Sequence, residues 1–172
     1  MQEVGSKLKQ YKTVICDIDN VICDSREWAK TAPCCENDGS HNREAWDEHH
    51  KRIDLVKRNE DIESVFRFLI KNGLERVFFI TSREDINGLR ESSVQQIRDI
   101  LQNLRGLSDV SLYLYMRNAL DYRPAWLLKQ ETFLQKIFPY YYVDLVIDDD
   151  IKNIEMFKTY NIETLHYTKY LI

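Results

Sequence analysis

The amino-acid sequence predicts a three-layer α/β fold of the Rossmann-like, doubly wound kind, with a central parallel sheet covered by helices on both faces. Two observations predict it. Short apolar runs alternate with segments whose apolar residues recur at helical spacing, which implies βαβ crossovers. The strand-like runs are also nearly continuously apolar, as burial on both faces of a sheet requires. A chain of 172 residues has the length of one domain, and residues 1–172 are read as one.

The first strand is Thr13 to Ile18 (TVICDI), rich in β-branched residues. Ile62, Val65, Phe66, Leu69 and Ile70 form a helical stripe that Gly73 stops. Val77 to Ile80 (VFFI) is the second strand. Val94, Ile97, Leu101 and Leu104 mark the next helix, ended near Gly106, and Val110 to Met116 is the third strand. Trp126, Leu127, Gln130, Phe133, Leu134 and Ile137 share one helix face, with Pro124 near its first turn. Val143 to Ile147 is the fourth strand. Ile151, Ile154 and Phe157 belong to a helix, and Ile162 to His166 forms a last strand. Residues 24–59 break this rhythm. They are polar, with few apolar residues besides Trp28 and Trp46. A connection of this length is usually functional, and it is expected to cap the C-terminal end of the first strand.

Composition narrows the function classes. Lys and Arg number 24 against 28 Asp and Glu, a net charge of −4, which argues against a bulk electrostatic grip on nucleic acid while leaving room for a local basic patch. Five Gly and three Pro exclude collagen-like and low-complexity classes. No run reaches the ~18 apolar residues of a membrane span, and MQEVGSKLKQYK lacks the apolar core of an export signal. Cys16, Cys23, Cys34 and Cys35 show neither a CxxC pair nor zinc-ligand spacing. The expectation is a cytoplasmic protein with reduced thiols.

In parallel open sheets ligands bind beyond the carboxyl ends of the strands. There the first strand runs into Asp17-Ile18-Asp19-Asn20, the second into Thr81-Ser82-Arg83 and the fourth into Asp148-Asp149-Asp150, while Lys129 lies on the helix after the third. Asp17 and Asp19 are two apart, so on an extended strand their side chains point the same way and repel unless a cation or shared proton intervenes. With Asp148 they make a set of hard oxygen ligands suited to Mg²⁺, the usual partner of phosphate chemistry. A carboxylate also serves as a nucleophile that forms an aspartyl-phosphate, with the Thr81 hydroxyl and Lys129 ammonium holding phosphoryl oxygens. Taken singly, each group has an ordinary alternative: a solvated strand end, a helix cap at Thr81-Ser82, a solvent-facing Lys129, first-turn acids at Asp148 to Asp150. Their conjunction in this order at these strand ends carries the argument.

The chain resembles the haloacid dehalogenase (HAD) superfamily of phosphotransferases. VICDIDNVICDS is similar to its DxD motif, FFITSR to its second, Lys129 to its third and LVIDDD to its acidic fourth, over about Thr13 to Tyr167. RNALDYRPAWLLKQETF and WDEHHKRIDLVKRNEDI further resemble the phosphatase domain of bacteriophage polynucleotide kinase-phosphatases. The resemblance implies a Mg²⁺-dependent phosphomonoesterase that removes 3′-phosphate from nucleic-acid ends. It implies Asp17 as nucleophile and metal ligand, and Asp19 as acid and base with its carbonyl on the metal. Thr81, Ser82 and Arg83 would bind substrate, Lys129 would neutralise charge, and Asp148 and Asp149 would hold the metal, the second through water. Asn20 stands where Gly is usual, and Asn tolerates left-handed backbone. No GxxxxGK[ST] loop is present, so kinase activity is not implied. Arg26, Arg43 and Arg52 are candidate substrate contacts. Alternatives are a phosphatase of small substrates such as mononucleotides, and a non-catalytic phosphoacceptor. Tyr113, Tyr115, Tyr140, Tyr141 and Tyr142 read as strand-edge or core residues, Trp28 and Trp46 as an exposed pair able to stack a base, and His49-His50 as surface.

Overall fold

The computed structural model describes residues 9–33 and 42–169; Cys34, Cys35 and Gly39 lie outside them. A five-stranded, wholly parallel sheet is formed by β1 (Thr13–Cys16), β4 (Arg76–Glu84), β5 (Ser111–Arg117), β6 (Leu145–Asp148) and β7 (Glu163–His166), in the order β5-β4-β1-β6-β7. The helices are α1 (Arg26–Ala29), α2 (Arg43–Lys51), α3 (Ile62–Lys71), α4 (Leu89–Leu101), α5 (Ala125–Thr132) and α6 (Ile151–Lys158). Each crossover between sheet strands carries at least one of α3 to α6, so the predicted architecture holds.

The period of two along each strand sorts the core into two layers. Val14, Cys16, Val77, Phe79, Leu145 and Ile147 face α3 and α4, packing on Phe66, Leu69, Ile97 and Leu101. Their neighbours Ile15, Phe78, Ile80 and Val146 face the other way, onto Phe133, Ile137, Met156 and Phe157. The near-continuous apolarity read from the sequence is this two-sided burial. Gly73 closes α3 with φ of 91°, a left-handed position that a Cβ disfavours. The α4 helix begins at Leu89, five residues before the expected stripe, because the buried position one turn after Leu89 is the polar Ser93, which interrupts the apolar pattern. After α5 the chain makes a π-helical turn over Phe133–Ile137, which keeps Phe133 and Ile137 in the core.

Residues 24–59 are not a structureless loop. They hold α1, α2, a 3₁₀ turn (Ile53–Leu55) and β3 (Lys57–Arg58), which pairs antiparallel with β2 (Cys23–Asp24). Three expectations need correction here. Trp28 is buried, not exposed, with 7% of its surface accessible. His49 and His50 are buried, not surface residues. Tyr113, Tyr115 and Tyr141 pack on Phe78 as expected, yet Tyr140 and Tyr142, on the segment before β6, are exposed. The cap builds a small core of its own from rings, which apolar counting overlooks. Among the described residues no helix is long and apolar enough to cross a membrane.

Candidate active site

The C-terminal ends of β1, β4 and β6 meet at a buried pit of charge. Strand β1 ends at Cys16, and Asp17 follows with its backbone N–H still donating to Ile147 O on β6, 2.9 Å away. The chain then turns: the N–H groups of Val21, Ile22 and Cys23 all donate to Ile18 O. The extended geometry expected for Asp17 and Asp19 therefore stops before Asp19, and the two carboxylates face different cations. Asn20 occupies the turn at φ 56°, the left-handed conformation anticipated for it.

Lys129, 2% exposed on α5, is the centre of the pit. Its Nζ lies 2.7 Å from Asp17 Oδ2 and 2.7 Å from Asp148 Oδ2. Asp17 Oδ1 accepts from Ile18 N–H at 2.7 Å. Asp148 Oδ1 accepts from Asp150 N–H at 3.0 Å and from Asn153 Nδ2 at 2.9 Å. Burial pushes the Asp17 carboxyl well above its ordinary value, against the pull of the Lys129 charge. Burial works to lower Lys129, but Asp148 and Asp17 overcome it and hold the ammonium above its usual range. Asp150, by contrast, caps α6 and accepts from Lys152 N–H.

Asp19 belongs to a second arrangement. Arg83, its side chain 1% exposed, grips it through Nε and Nη2, with Nη2 2.7 Å from Oδ1. Burial alone raises the Asp19 carboxyl; the Arg83 charge and hydrogen bonds outweigh it and bring the carboxyl below its usual value. Arg83 Nη1 continues to Ser93 and Gln96. The structure thus turns Arg83 onto Asp19 rather than into open space. Thr81 Oγ1 lies 3.4 Å from Asp19 Oδ2. A bulge in the β4–β5 register between Ile80 and Glu84 sets off this Thr81-Ser82-Arg83 stretch.

One oxygen each of Asp17, Asp148 and Asp149 lies within 4.8 Å of the others. Four carboxylates, Asp17, Asp19, Asp148 and Asp149, face two cations, Lys129 and Arg83, so a divalent ion would balance the formal charge of the pit. Burial raises the Asp149 carboxyl, and the neighbouring Asp148 charge adds to the rise. Asn153 Oδ1, beside Asp148, is buried without a hydrogen-bond partner, a further uncommitted oxygen. The donor set is all hard oxygen and fits Mg²⁺.

Two cavities flank the pit. One, of about 290 Å³, is lined by Thr81, Ser82, Lys129 and Arg117. The other, of about 430 Å³, lies under the cap and is lined by Asp19, Ser82, Trp46, His50 and Arg117. Arg117 was not foreseen from the sequence. Its guanidinium donates to the carbonyls of Ser82, Asp121 and Arg123, bracing the rim between the cavities. Of the basic candidates in the cap, Arg43 is committed to Glu84 and Asp47 and Arg26 to Asp24, while Arg52 is exposed.

Comparison with known proteins names the family. Residues 11–169 match the family described as the polynucleotide kinase PNKP phosphatase domain. The chain belongs to that family. It is a phosphatase of the HAD type. No curated protein matches it in sequence. Among solved structures, it is similar to a chain of the Pnkp1/Rnl/Hen1 RNA repair complex, with 21% identity, a TM-score of 0.59, 96% of this chain covered and 46% of that one. It is likewise similar to a Clostridium difficile structure assigned as a phosphatase, with 16% identity, a TM-score of 0.60 and coverages of 91% and 85%. At these identities the likeness concerns the fold. This chain spans about half the length of the repair-complex protein it matches.

Proposed function

We propose that this phosphatase is Mg²⁺-dependent and removes 3′-phosphate from nucleic-acid ends through an aspartyl-phosphate on Asp17. The observation that carries the reading is Lys129 Nζ at 2.7 Å from both Asp17 and Asp148, in a pit with three convergent carboxylate oxygens. Lys129 pulls Asp17 toward the ionised form against the burial that raises it, and an ionised carboxylate is what a nucleophile requires. Asp17 attacks phosphorus as the ester P–O bond breaks, and the leaving alkoxide takes a proton from Asp19. Asp19 then accepts the proton of the water that cleaves the acyl-phosphate, which frees inorganic phosphate and restores Asp17. The pairing with Arg83 favours the carboxylate form needed in that second half. In the first half, the incoming phosphate dianion adds negative charge beside Asp19 and raises its affinity for a proton. Thr81 and Ser82 would bind the phosphoryl oxygens. Asp17, the Asp19 carbonyl and Asp148 would hold Mg²⁺ directly, and Asp149 through water. Bound there, the ion supplies charge neutralisation for attack by an anion on an anion.

Family membership supports a nucleic-acid end as substrate, as does similarity to a chain of an RNA repair complex. The net charge of −4 favours a second reading, a small substrate such as a mononucleotide. Phosphate release with Mg²⁺ from a 3′-phosphorylated oligonucleotide, a 5′-phosphorylated one and free mononucleotides separates the two. The expected result is release from the 3′ end, with KM rising steeply with salt, and loss of roughly 10³-fold or more in Asp17→Asn. Release from mononucleotides alone, with a flat salt response, overturns the end-healing reading. Substantial turnover by Asp17→Asn overturns the mechanism.

A further inference from the structure

The cap cavity contains two features that catalysis at the pit does not use. The first is a set of aromatic rings fixed by their surroundings. Trp28 is stacked on His49 with ring centroids 4.4 Å apart, donates from Nε1 to His49 O, and has the Arg83 guanidinium 5.3 Å from its ring. Trp46, half-buried, meets His49 edge-on at 5.5 Å and His50 at 5.9 Å. Trp46, His49 and His50 are spaced three and four apart and so share one face of α2. Arg43 Nη1 ties that helix to Glu84 on β4, 2.6 Å away, which fixes the wall to the sheet. The second feature is His50 itself. It is 9% exposed, lines the cavity, and its Nδ1 is buried without a hydrogen-bond partner. Buried polar atoms are nearly always paired; His50 also borders a second cavity beside Gly88 and Leu89, so a small turn of its ring toward the cap cavity would let a ligand there complete Nδ1.

The two cavities also divide the substrate. Thr81 and Lys129 line the smaller one, Asp19 lines only the larger, and Ser82 and Arg117 border both. A phosphoryl group held by Thr81 and Lys129 turns its leaving oxygen toward Asp19, the group that protonates it. The leaving alcohol therefore extends into the cap cavity. Its volume of about 430 Å³ falls in the roughly 300–1,000 Å³ range of sites for small organic ligands.

We propose that this cavity takes the nucleobase of the nucleotide bearing the 3′-phosphate, stacked on Trp46 with a polar edge hydrogen-bonded to His50 Nδ1. The proposal rests on the reading of the substrate as a nucleic-acid end and adds the element that such an end must carry. Burial depresses the His50 imidazolium, so the ring presents one donor and one acceptor, which matches the mixed edges of nucleobases. Tyr122, from the loop after β5, lines the same cavity.

The test compares two oligonucleotides with identical 3′-phosphates, one ending in an ordinary nucleotide and one in an abasic tetrahydrofuran residue, on the full chain with Mg²⁺. Stacking of one base is worth roughly 5- to 150-fold. The expected ratio of kcat/KM, base over abasic, is therefore at least about fivefold for the unaltered protein, falling to within about twofold in Trp46→Ala and to an intermediate value in His50→Phe, which keeps a ring and removes Nδ1. Two cap variants guard against one that fails to fold. Equal rates on the two substrates overturn the base site and leave the 3′-phosphatase reading standing, as does a ratio unaltered in both variants. Hydrolysis of neither substrate overturns both readings.

Discussion

The charged pit and the cap cavity adjoin at Asp19, yet they are built on opposite principles. In the pit Asp17, Asp148 and Asp19 are each held by a buried cation, Lys129 or Arg83. Lys129 is fully enclosed and bridges two carboxylates, so each member is costly to remove and the set is deficient by a cation. In the cap cavity one wall is made of rings, Trp28, Trp46, His49 and His50, held by stacking and by Trp28 Nε1 on a backbone carbonyl, with Asp19, Arg83 and Arg117 at its border with the pit. Chemistry on an anion needs the first, because charge must be fixed before the reaction. Recognition of a flat leaving group needs the second, because stacking tolerates many bases while a few polar atoms orient them. The difference lies in what each region lacks: the pit is short of positive charge, the cavity of a hydrogen-bond partner.

Lys129→Met breaks this comparison most strongly. It leaves Asp17 and Asp148 buried without their counter-ion, and loss of one partner from a buried ion pair costs about 3–5 kcal/mol. Urea unfolding at pH 7 is expected to show a loss of that size, partly restored by millimolar Mg²⁺, together with loss of turnover. A stability unchanged within error contradicts the role of Lys129 as the counter-ion of the pit. Asp149→Ala acts on the same region more gently. Asp149 is half-buried and hydrogen-bonded to Asn20 rather than to Lys129. Calorimetric titration is expected to show magnesium binding weaker by roughly 10–100-fold, with little change in stability when Mg²⁺ is absent.

How far these regions were legible in the sequence follows from their chemistry. The pit was legible because strand-end carboxylates, a hydroxyl and a lysine on separate elements have few other reasons to recur in that order. The sheet and its helices were legible because two-sided burial writes itself as continuous apolar runs. The cap was not. Trp28, His49 and His50 stand among polar residues, and polar context reads as exposure, but an aromatic stack needs only three or four rings and one buried guanidinium to make a core. The spacing of Trp46, His49 and His50 was the available signal, since it sets one ring-bearing face on a helix. The resemblance implies Arg83 as a contact of the phosphate or the substrate; in the structure its guanidinium is bonded to Asp19. Its bond to Asp19 depends on the turn at Ile18, which no periodicity reveals. Arg117 reads as the last residue of a strand, and its carbonyl partners come from three separate positions of the chain.

The imidazoles sharpen the contrast through pH. Burial, with the neighbouring His50 charge, lowers His49 from 6.5 to about 4, and burial lowers His50 as well. In the unfolded chain both bind a proton near pH 6.5. A group whose folded value lies below its unfolded one contributes fully above the unfolded value, and that contribution is lost as pH falls toward the folded one. Stability is therefore expected to decline from pH 6.5 to 5, by at most about 1.4 kcal/mol per pH unit for each histidine. His49→Phe, which keeps the ring on Trp28, should flatten that slope. An unaltered slope would assign it to carboxylates instead.

Asn20 is bonded to both regions, and its replacement is expected to have the smallest effect. Its Nδ2 donates to Asp149 Oδ2 at 3.0 Å, while its Oδ1 accepts from Ser25 N–H at 3.3 Å and from Ser25 Oγ at 3.1 Å. Two opposing terms meet in Asn20→Gly. Glycine relieves the left-handed backbone at φ 56°, a gain kept small because Asn already tolerates that conformation. It also deletes hydrogen bonds that are each worth about 0.5–1.5 kcal/mol, the one to the Asp149 carboxylate more. The bonds outweigh the strain, so the variant is expected to lose about 1 kcal/mol by urea unfolding and to weaken magnesium binding slightly as Asp149 loosens. Ser25→Ala removes the Oγ bond while leaving the Asp149 bond and the turn intact, so it should reproduce part of the stability loss without the change in magnesium binding. A gain in stability on Asn20→Gly would mean that backbone strain dominates the turn, and that the asparagine is kept to join the pit to the cap rather than to hold the fold.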